Sequence, residues 1–162
     1  MSFRIGSGFD VHATAPGDFV ILGGVKIPAP FSLKGHSDAD VLLHAITDAV
    51  LGSVASADIG VHFPDSDSQN KNRDSSEFLL LAIQEAARKG YKLGNLDATI
   101  ICEAPKIAPH RAEITGKIAA WFQLEEDVIS IKATTTEGLG YTGRGEGVAA
   151  QASVLMKKIN SN

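Results

Sequence analysis

The sequence GVAAQASVLMKK, residues 147–158, decides the fold class because its apolar residues recur at every second position. A period of two is typical of a β-strand that buries one face, since successive side chains of a strand point to opposite sides of the sheet. The apolar positions that share one face are Val148, Ala150, Ala152, Val154 and Met156. The segment therefore predicts a long strand that lies with this face against the core.

Upstream of this strand, further segments predict the rest of the sheet and the layer that covers it. Strands are predicted at residues 2–12, 96–102 and 128–135, with a hairpin in which Gly23-Gly24 joins residues 19–22 to 25–27. Helices are predicted from the capping pattern Ser37/Asp40 to about Ala55, from the pattern Asp74/Glu77 to Gly90, and from Pro109 to Phe122. Residues 59–72 are predicted as a polar loop. This order indicates an α/β (α+β) fold with helices on one side of a sheet. The other side stays exposed unless a second subunit covers it, which favours an oligomer.

Composition limits the classes of protein to which the chain can belong. Its 162 residues, 44% hydrophobic and 21% charged, are typical of one globular domain over residues 1–162. A formal net charge of −4 gives no electrostatic attraction for nucleic acid. The single Cys102 excludes an internal disulfide framework and fits a reducing compartment. The first residues lack the apolar core of a secretory signal, and the apolar run at residues 78–83 is too short to cross a bilayer. We therefore expect a cytoplasmic protein without membrane contact.

Two histidines and an aspartate form the most informative chemical pattern. Asp10 and His12 are two residues apart on the first predicted strand, so their side chains point to the same side of it. His44 lies on a polar face of the first predicted helix. Two imidazoles and one carboxylate are a usual ligand set of a catalytic zinc ion that keeps one coordination position open. Alternatively, Asp10 caps a turn and both histidines are ordinary surface or core residues.

The segment GLGYTG at residues 138–143 matches the dinucleotide fingerprint G-x-G-x-x-G. That fingerprint requires a helix directly after it and an acidic residue about 20 positions further on. Here the alternating strand at residues 147–158 follows, and no acidic residue stands at the required distance. We therefore reject a dinucleotide site.

Four polar segments admit both a functional and a structural interpretation. Residues 134–137, TTTE, can bind phosphate oxygens and a hard divalent ion, or they reflect the preference of threonine for strands. Residues 58–60, DIG, and 63–67, FPDSD, can accept hydrogen bonds from the hydroxyls of a polyol, or they form turns. Lys106, in the segment EAPK at residues 103–106, can bind a phosphate or a base carbonyl, or it is solvated.

Taken together, these segments resemble the 2-C-methyl-D-erythritol 2,4-cyclodiphosphate synthase family. The matching blocks, in the family's order, are GFDVH at 8–12, HSDAD at 36–40 with His44, DIG at 58–60 with FPD at 63–65, APK at 104–106, and residues 134–147. The resemblance implies a four-stranded mixed sheet with three helices packed on one face. It also implies a homotrimer around a sheet-lined axis, with active sites between subunits.

The resemblance further implies a reaction of the non-mevalonate isoprenoid precursor pathway. In it, 4-diphosphocytidyl-2-C-methyl-D-erythritol 2-phosphate becomes 2-C-methyl-D-erythritol 2,4-cyclodiphosphate and CMP. The 2-phosphate of the substrate attacks the β-phosphate, so no side-chain nucleophile is needed, and metals and positioned donors supply the catalysis. The implied metal ligands are Asp10, His12 and His44 for zinc, with Glu137 for magnesium or manganese on the substrate diphosphate. His36 and Thr135 are expected to steady the transition state.

The resemblance also implies roles for the remaining site residues. The residues expected to contact the cytidine diphosphate substrate are Ser37, Asp58, Ile59, Gly60, Phe63, Pro64, Asp65, Ser66, Asp67, Cys102, Ala104, Pro105, Lys106, Ile107, Ala108, Thr134, Thr136, Tyr141 and Arg144. Those from Cys102 to Lys106 are expected to line the cytidine pocket of a neighbouring subunit. Phe9, Arg144 and Glu146 are expected at a trimer-axis cavity, where the family can hold an isoprenoid diphosphate.

The chain also departs from the family pattern, and two other functions stay open. Many relatives have Lys where this chain has Gly138 and Phe where it has Tyr141, and the first change removes a phosphate contact. One alternative is a zinc-dependent phosphohydrolase, since such sites also activate water. The other is a non-catalytic trimer that binds an isoprenoid diphosphate through Arg144.

Overall fold

The computed structural model describes residues 2–35, 37–64 and 73–159, and a mixed β-sheet lies at its centre. The strands are β1 (Phe3–Ala15), β2 (Phe19–Leu22), β3 (Val25–Pro28), β4 (Ser32–Leu33), β5 (Tyr91–Ile101), β6 (Ile129–Thr134) and β7 (Gly147–Lys158). The sheet has the order β4-β1-β7-β5-β6, in which β4 is only a two-residue edge beside four long strands. β5 and β6 are parallel, whereas the other neighbours are antiparallel. β2 and β3 form the separate hairpin that Gly23-Gly24 predicts.

Three long helices cover one face of this sheet, as the resemblance implies. The helices are α1 (Val41–Ser53), α2 (Ile59–His62), α3 (Ser75–Arg88), α4 (Arg111–Phe122) and α5 (Gly140–Gly143), of which α2 and α5 are single turns. The hydrophobic core lies between the sheet and the helices α1, α3 and α4. It contains the whole predicted apolar face of β7, and every residue of that face is buried. Within the described ranges, no helix is long and apolar enough to cross a membrane.

Several boundaries differ from the sequence-based predictions for physical reasons. Asp40, and not Ser37, caps α1: its carboxylate accepts from the backbone N–H of Leu43 at 3.0 Å. Residues 59–72 were expected to form a loop, but the first four of them form the helical turn α2, so that part of the prediction is wrong. Residues 65–72 of the expected loop lie outside the described ranges. β5 begins at Tyr91 rather than residue 96 because its first residues already pair with the end of β7. The predicted cap at Asp74 is confirmed, since its carboxylate accepts from the N–H of Ser76 at 2.9 Å.

Two glycines of β1 allow α1 to pack directly on the strand backbone. A Cβ atom on Gly6 would lie 1.9 Å from the carbonyl oxygen of Ala49, and one on Gly8 would lie 2.0 Å from that of Ala45. No side chain fits at either position, so α1 can lie directly against the backbone of β1 only because these residues are glycine. Because side chains alternate along β1, Asp10 continues the face of Gly6 and Gly8 and therefore points toward α1.

The opposite face of the sheet carries apolar side chains that none of the described residues covers. Phe3, Ile5, Phe9 and Val11 are 56%, 79%, 53% and 42% exposed, respectively. They occupy the odd-numbered positions of β1, which point away from α1. The expectation of a sheet face left uncovered within one chain is therefore confirmed.

Candidate metal centre

Asp10 and His12 of β1 and His44 of α1 converge on one point. Asp10 Oδ2 lies 2.9 Å from His12 Nε2 and 3.0 Å from His44 Nδ1, and the two ring nitrogens are 3.0 Å apart. Among the described residues, no other group of three His, Cys, Asp or Glu side chains brings its ligand atoms so close together. Tetrahedral zinc with bonds of about 2.0–2.1 Å separates its ligand atoms by about 3.3 Å, so small outward shifts would accommodate one ion. The donor set fits a divalent cation with one open position.

The surroundings keep Asp10 ionised and therefore able to bind a cation. Burial alone would raise the pKa of Asp10, but the hydrogen bonds and charges of His12 and His44 outweigh burial and hold that pKa well below its usual range. For His12, burial would lower the pKa, and the neighbouring Asp10 carboxylate outweighs it and raises the pKa. The three side chains are only 12–28% exposed, so these interactions act in a partly desolvated site.

His44 is more enclosed than its predicted position on a polar helix face suggests. Its side chain is 12% exposed, and its ring lies 5.9 Å from the ring of Phe78 on α3. That face of α1 is thus covered by β1 and α3 rather than by solvent. The polar residues of this face bond to protein groups instead of water, as Asp40 does to the β2–β3 turn.

A cavity of about 480 Å³ opens beside the three ligands. Several of the residues predicted to contact the substrate line this cavity. Its lining residues are Asp10, His12, Lys34, Gly35, Ser37, His44, Ile59, Gly60, Phe63 and Phe78. The rings of Phe63 and Phe78 are 4.5 Å apart and give the cavity one apolar wall. Asp58 caps α2 by accepting from the N–H of Val61 at 3.1 Å, so it has the turn role that its sequence also allowed. A cavity with a cation site at one side and an apolar wall at the other suits a small phosphorylated molecule.

A second group of predicted site residues lies at the same end of the sheet as Asp10 and His12, but on the other side of β7. Residues 102–108 follow β5 and residues 135–144 follow β6, whose last residue is Thr134, and the carboxyl ends of these two parallel strands lie side by side. Glu103 Oε1 accepts from the backbone N–H of Thr136 at 2.9 Å and so ties the two loops together. None of these residues lines the cavity at the metal ligands, and β7 separates β5 from β1.

Within this second group, the polar side chains largely pair with one another. Thr135 Oγ1 donates to Glu137 Oε1 at 2.9 Å, and the positive φ of 54° turns the backbone at Glu137. Burial, followed by the Glu103 charge, raises the pKa of Cys102 to about 11. Arg144 and Glu146 form a two-point ion pair at 2.8 and 3.0 Å at the exposed start of β7.

Sequence reasoning missed several residues, and part of the predicted set is not described. His36, Asp65, Ser66 and Asp67 lie outside the described residues. The missed residues are Asp38, Phe78, Ser75, Glu103 and the carbonyl of Lys34, which support the predicted ones through direct contacts. Their contacts join distant parts of the chain, so no spacing pattern could have indicated them.

A mixed sheet with helices on one face and an Asp-His-His centre open to a cavity defines a protein of the catalytic metal-site class. The YgbB family model matches residues 3–157. A relative from Alcanivorax borkumensis, named 2-C-methyl-D-erythritol 2,4-cyclodiphosphate synthase, is 54% identical over 97% of this chain and 98% of its own length. The chain therefore belongs to the YgbB family.

Solved structures agree with this assignment. The bifunctional IspDF of Campylobacter jejuni superposes with a TM-score of 0.94 at 40% identity, over 98% of this chain and 43% of that longer chain. An IspF structure from Plasmodium falciparum in complex with CDP has a TM-score of 0.86 at 34% identity, over 98% of both chains. The fold implied by the sequence resemblance is thereby confirmed.

Proposed function

We propose that the chain converts 4-diphosphocytidyl-2-C-methyl-D-erythritol 2-phosphate into 2-C-methyl-D-erythritol 2,4-cyclodiphosphate and CMP, a lyase reaction of the non-mevalonate isoprenoid pathway. The observation that carries the proposal is the Asp10/His12/His44 centre open to a cavity, in a chain that matches synthases of that name over nearly its full length.

The reaction requires charge neutralisation and alignment rather than a side-chain nucleophile. The 2-phosphate oxygen forms the new bond to the β-phosphorus while the bond to the CMP oxygen breaks, so CMP leaves with the electron pair. A divalent cation held by Asp10, His12 and His44 would neutralise charge on the phosphate oxygens. Ser37 places a hydroxyl at the same cavity, and Phe63 gives a wall against which the carbon skeleton can pack. Ser37 and Phe63 would help to hold the two phosphates in line and to exclude water.

The complete active site is proposed to form between subunits of a homotrimer. Two observations support this: the apolar face of β1 is uncovered, and the loops after β5 and β6 do not reach the metal cavity of their own chain. Packing of three uncovered faces would bring the loops of one subunit to the cavity of the next. The residues proposed to bind the cytidine and its phosphates are Cys102, Ala104, Pro105, Lys106, Ile107, Ala108, Thr134, Thr136, Tyr141 and Arg144. Glu137 is proposed to hold magnesium or manganese there.

The roles that the family resemblance implies for the remaining site residues are part of the same proposal. His36 and Thr135 are proposed to stabilise the transition state, and the residues proposed around the methylerythritol unit are Asp58, Ile59, Gly60, Phe63, Pro64, Asp65, Ser66 and Asp67. Phe9, Arg144 and Glu146 are proposed to border an axial cavity that holds an isoprenoid diphosphate, with Phe9 exposed on the uncovered face. The proposed location is the cytoplasm, since the single Cys102 has no disulfide partner.

A two-metal phosphohydrolase is the weaker interpretation. Such sites hold two ions about 3.5–4 Å apart and therefore need additional ligands beside the first set. Among the described residues, only Asp10, His12 and His44 form a group of three potential ligands. This group supplies no additional ligands that could hold a second ion in the absence of substrate.

Product analysis tests the proposed function. The purified protein would be incubated with its proposed substrate, zinc and magnesium, and the products followed by phosphorus NMR and mass spectrometry. We expect CMP and the cyclic diphosphate in equal amounts, and neither product with the His44→Ala variant. Release of inorganic phosphate without a cyclic product would overturn the proposal in favour of hydrolysis.

A further inference from the structure

We propose that Ser75 and Asp38 form a hydrogen-bonded relay that fixes the orientation and the proton position of His44. Both are positioning residues, since neither would touch the substrate or the cation. The inference rests on the proposed metal centre and deepens it, because it names the groups that make His44 a competent ligand.

The relay begins at the ring nitrogen of His44 that points away from the metal centre. His44 Nδ1 faces Asp10 Oδ2 at 3.0 Å, and His44 Nε2 lies 2.9 Å from Ser75 Oγ on the other side of the ring. Ser75 is fully buried and is the first residue of α3, whose N-terminus lies beside α1. The hydroxyl thus meets His44 out of contact with water.

The direction of each hydrogen bond follows from the carboxylate of Asp38. Ser75 Oγ makes a short hydrogen bond to Asp38 Oδ1, and the backbone N–H of Ser75 donates to Asp38 Oδ2 at 3.2 Å. An ionised carboxylate only accepts, so the single hydroxyl hydrogen of Ser75 goes to Asp38. The oxygen of Ser75 then offers a lone pair to His44 Nε2, which must carry the proton and donate it. With a cation at the centre, His44 Nδ1 is therefore left unprotonated and can offer its lone pair to that cation in place of its hydrogen bond to Asp10.

Ser37 supports the same arrangement without replacing it. Its hydroxyl oxygen lies 3.2 Å from His44 Nε2, but it also accepts from the backbone N–H of Ala39 at 3.2 Å. The contact with Ser75 is 0.3 Å shorter, the difference between 3.2 and 2.9 Å, and only Ser75 is coupled to a carboxylate. Ser75 is thus the principal acceptor for His44.

Asp38 and Ser75 also hold together the segments that precede α1 and begin α3. The backbone N–H of Asp38 donates to the carbonyl of Arg73 at 3.2 Å, and that of Asp40 donates to Asp38 Oδ1 at the same distance. The Asp38 carboxylate therefore sits where the start of α1 meets the start of α3. The second ligand, His12, is oriented more simply, because its Nδ1 lies 2.9 Å from the carbonyl of Lys34. Such outer contacts commonly change metal affinity by about 10–100-fold.

Zinc affinity and the Nε2–H proton of His44 test the relay directly. Zinc binding would be measured by competition with a chelator of known affinity, and the Nε2–H signal of His44 would be recorded by proton and nitrogen-15 NMR in the zinc-loaded protein. We expect Ser75→Ala and Asp38→Asn to weaken zinc binding about 10–100-fold and to make the Nε2–H proton of His44 exchange faster with water. Ser75→Thr keeps the hydroxyl and should restore both properties to within a few-fold of wild type.

The matched control is Ser76→Ala, which makes the same change one residue further along α3, where the structure records a backbone hydrogen bond only. Circular dichroism would establish that each variant is folded, and Asp38→Asn keeps the side-chain shape if Ser75→Ala fails to fold. Unchanged zinc affinity and an unchanged Nε2–H signal of His44 in both relay variants would overturn the relay while the metal centre stood. A wild-type protein that binds no zinc would instead overturn the metal centre of the proposed function.

Discussion

Asp48 Oδ1 accepts a hydrogen bond from the backbone N–H of Ile59 at 2.8 Å, and this contact joins α1 to one wall of the metal cavity. Asp48 lies one helical turn after His44, so the same helix positions a metal ligand and the segment Ile59–Gly60 that lines the cavity. Burial raises the pKa of Asp48, and the Ile59 N–H opposes that shift only in part. The metal centre and its cavity wall are thus held by neighbouring turns of one helix.

We expect Asp48→Ala to weaken substrate binding while zinc binding stays intact. Loss of the carboxylate leaves the Ile59 N–H without its acceptor and lets α2 move, whereas Asp10, His12 and His44 keep their contacts. KM should rise several-fold, with zinc affinity within about twofold of wild type. Asp48→Asn retains one acceptor oxygen and is the control, with a smaller rise. Equal losses of zinc and substrate binding would contradict the division of roles between the two turns.

Gly8→Ala should destabilise the fold and disturb the metal centre together. The added Cβ would lie 2.0 Å from the carbonyl oxygen of Ala45, so α1 must move away from β1. Overpacking of this kind costs about 1–3 kcal/mol or more in the free energy of unfolding. Chemical denaturation would measure that loss, and zinc titration would measure the displacement of His44 from Asp10.

Gly52→Ala provides the matched control for this substitution. Gly52 lies near the end of α1, and nothing lies within 4 Å of the position that its Cβ would take. Since alanine favours a helix interior over glycine, Gly52→Ala should stabilise the protein by about 0.5–1 kcal/mol. A Gly8→Ala protein as stable as wild type would show that the close approach of α1 to β1 is not required.

Local patterns predicted those parts of the fold that local contacts determine. The Asp74 cap depends on neighbours in sequence and was predicted correctly. The start of α1 was not, because Asp40 also accepts from the N–H groups of Gly23 and Gly24, at 3.0 and 2.7 Å. That tertiary contact selects Asp40 over Ser37 as the cap, and the spacing within residues 37–40 contains no information about it.

The same distinction applies to the site. Asp10 and His12 could be placed on one side of β1 from their spacing, and His44 completed a zinc ligand set by its residue type; the family resemblance then assigned all three to one ion. Ser75 and Asp38 could not be found, because they meet across 37 residues of sequence and have no spacing signature. Residues that support a site through tertiary contacts are visible only when the fold is known.

Cys102 should react slowly with alkylating reagents at neutral pH. Burial raises the pKa of its thiol from 9.0 to about 11, so the reactive thiolate is about 100-fold rarer at pH 7.5 than in an unshifted thiol. The alkylation rate should therefore rise about tenfold per pH unit and level off only near pH 11. Mass spectrometry after reaction with iodoacetamide would give these rates, with urea-unfolded protein as the control. A rate that levels off below pH 9 would contradict the shifted pKa.

Glu137→Gln should raise the magnesium or manganese requirement more than it disturbs zinc. Glu137 lies in the loop after β6, away from Asp10, and one of its carboxylate oxygens already accepts from Thr135 Oγ1 at 2.9 Å. An amide keeps the size and one acceptor oxygen but removes the negative charge that a hard cation prefers. The magnesium concentration for half-maximal activity should increase at least several-fold, whereas zinc content per subunit should stay the same. Thr135→Val tests whether the hydroxyl orients that carboxylate, and it should shift the magnesium titration in the same direction. An unchanged magnesium titration in Glu137→Gln would remove this carboxylate from the second metal site.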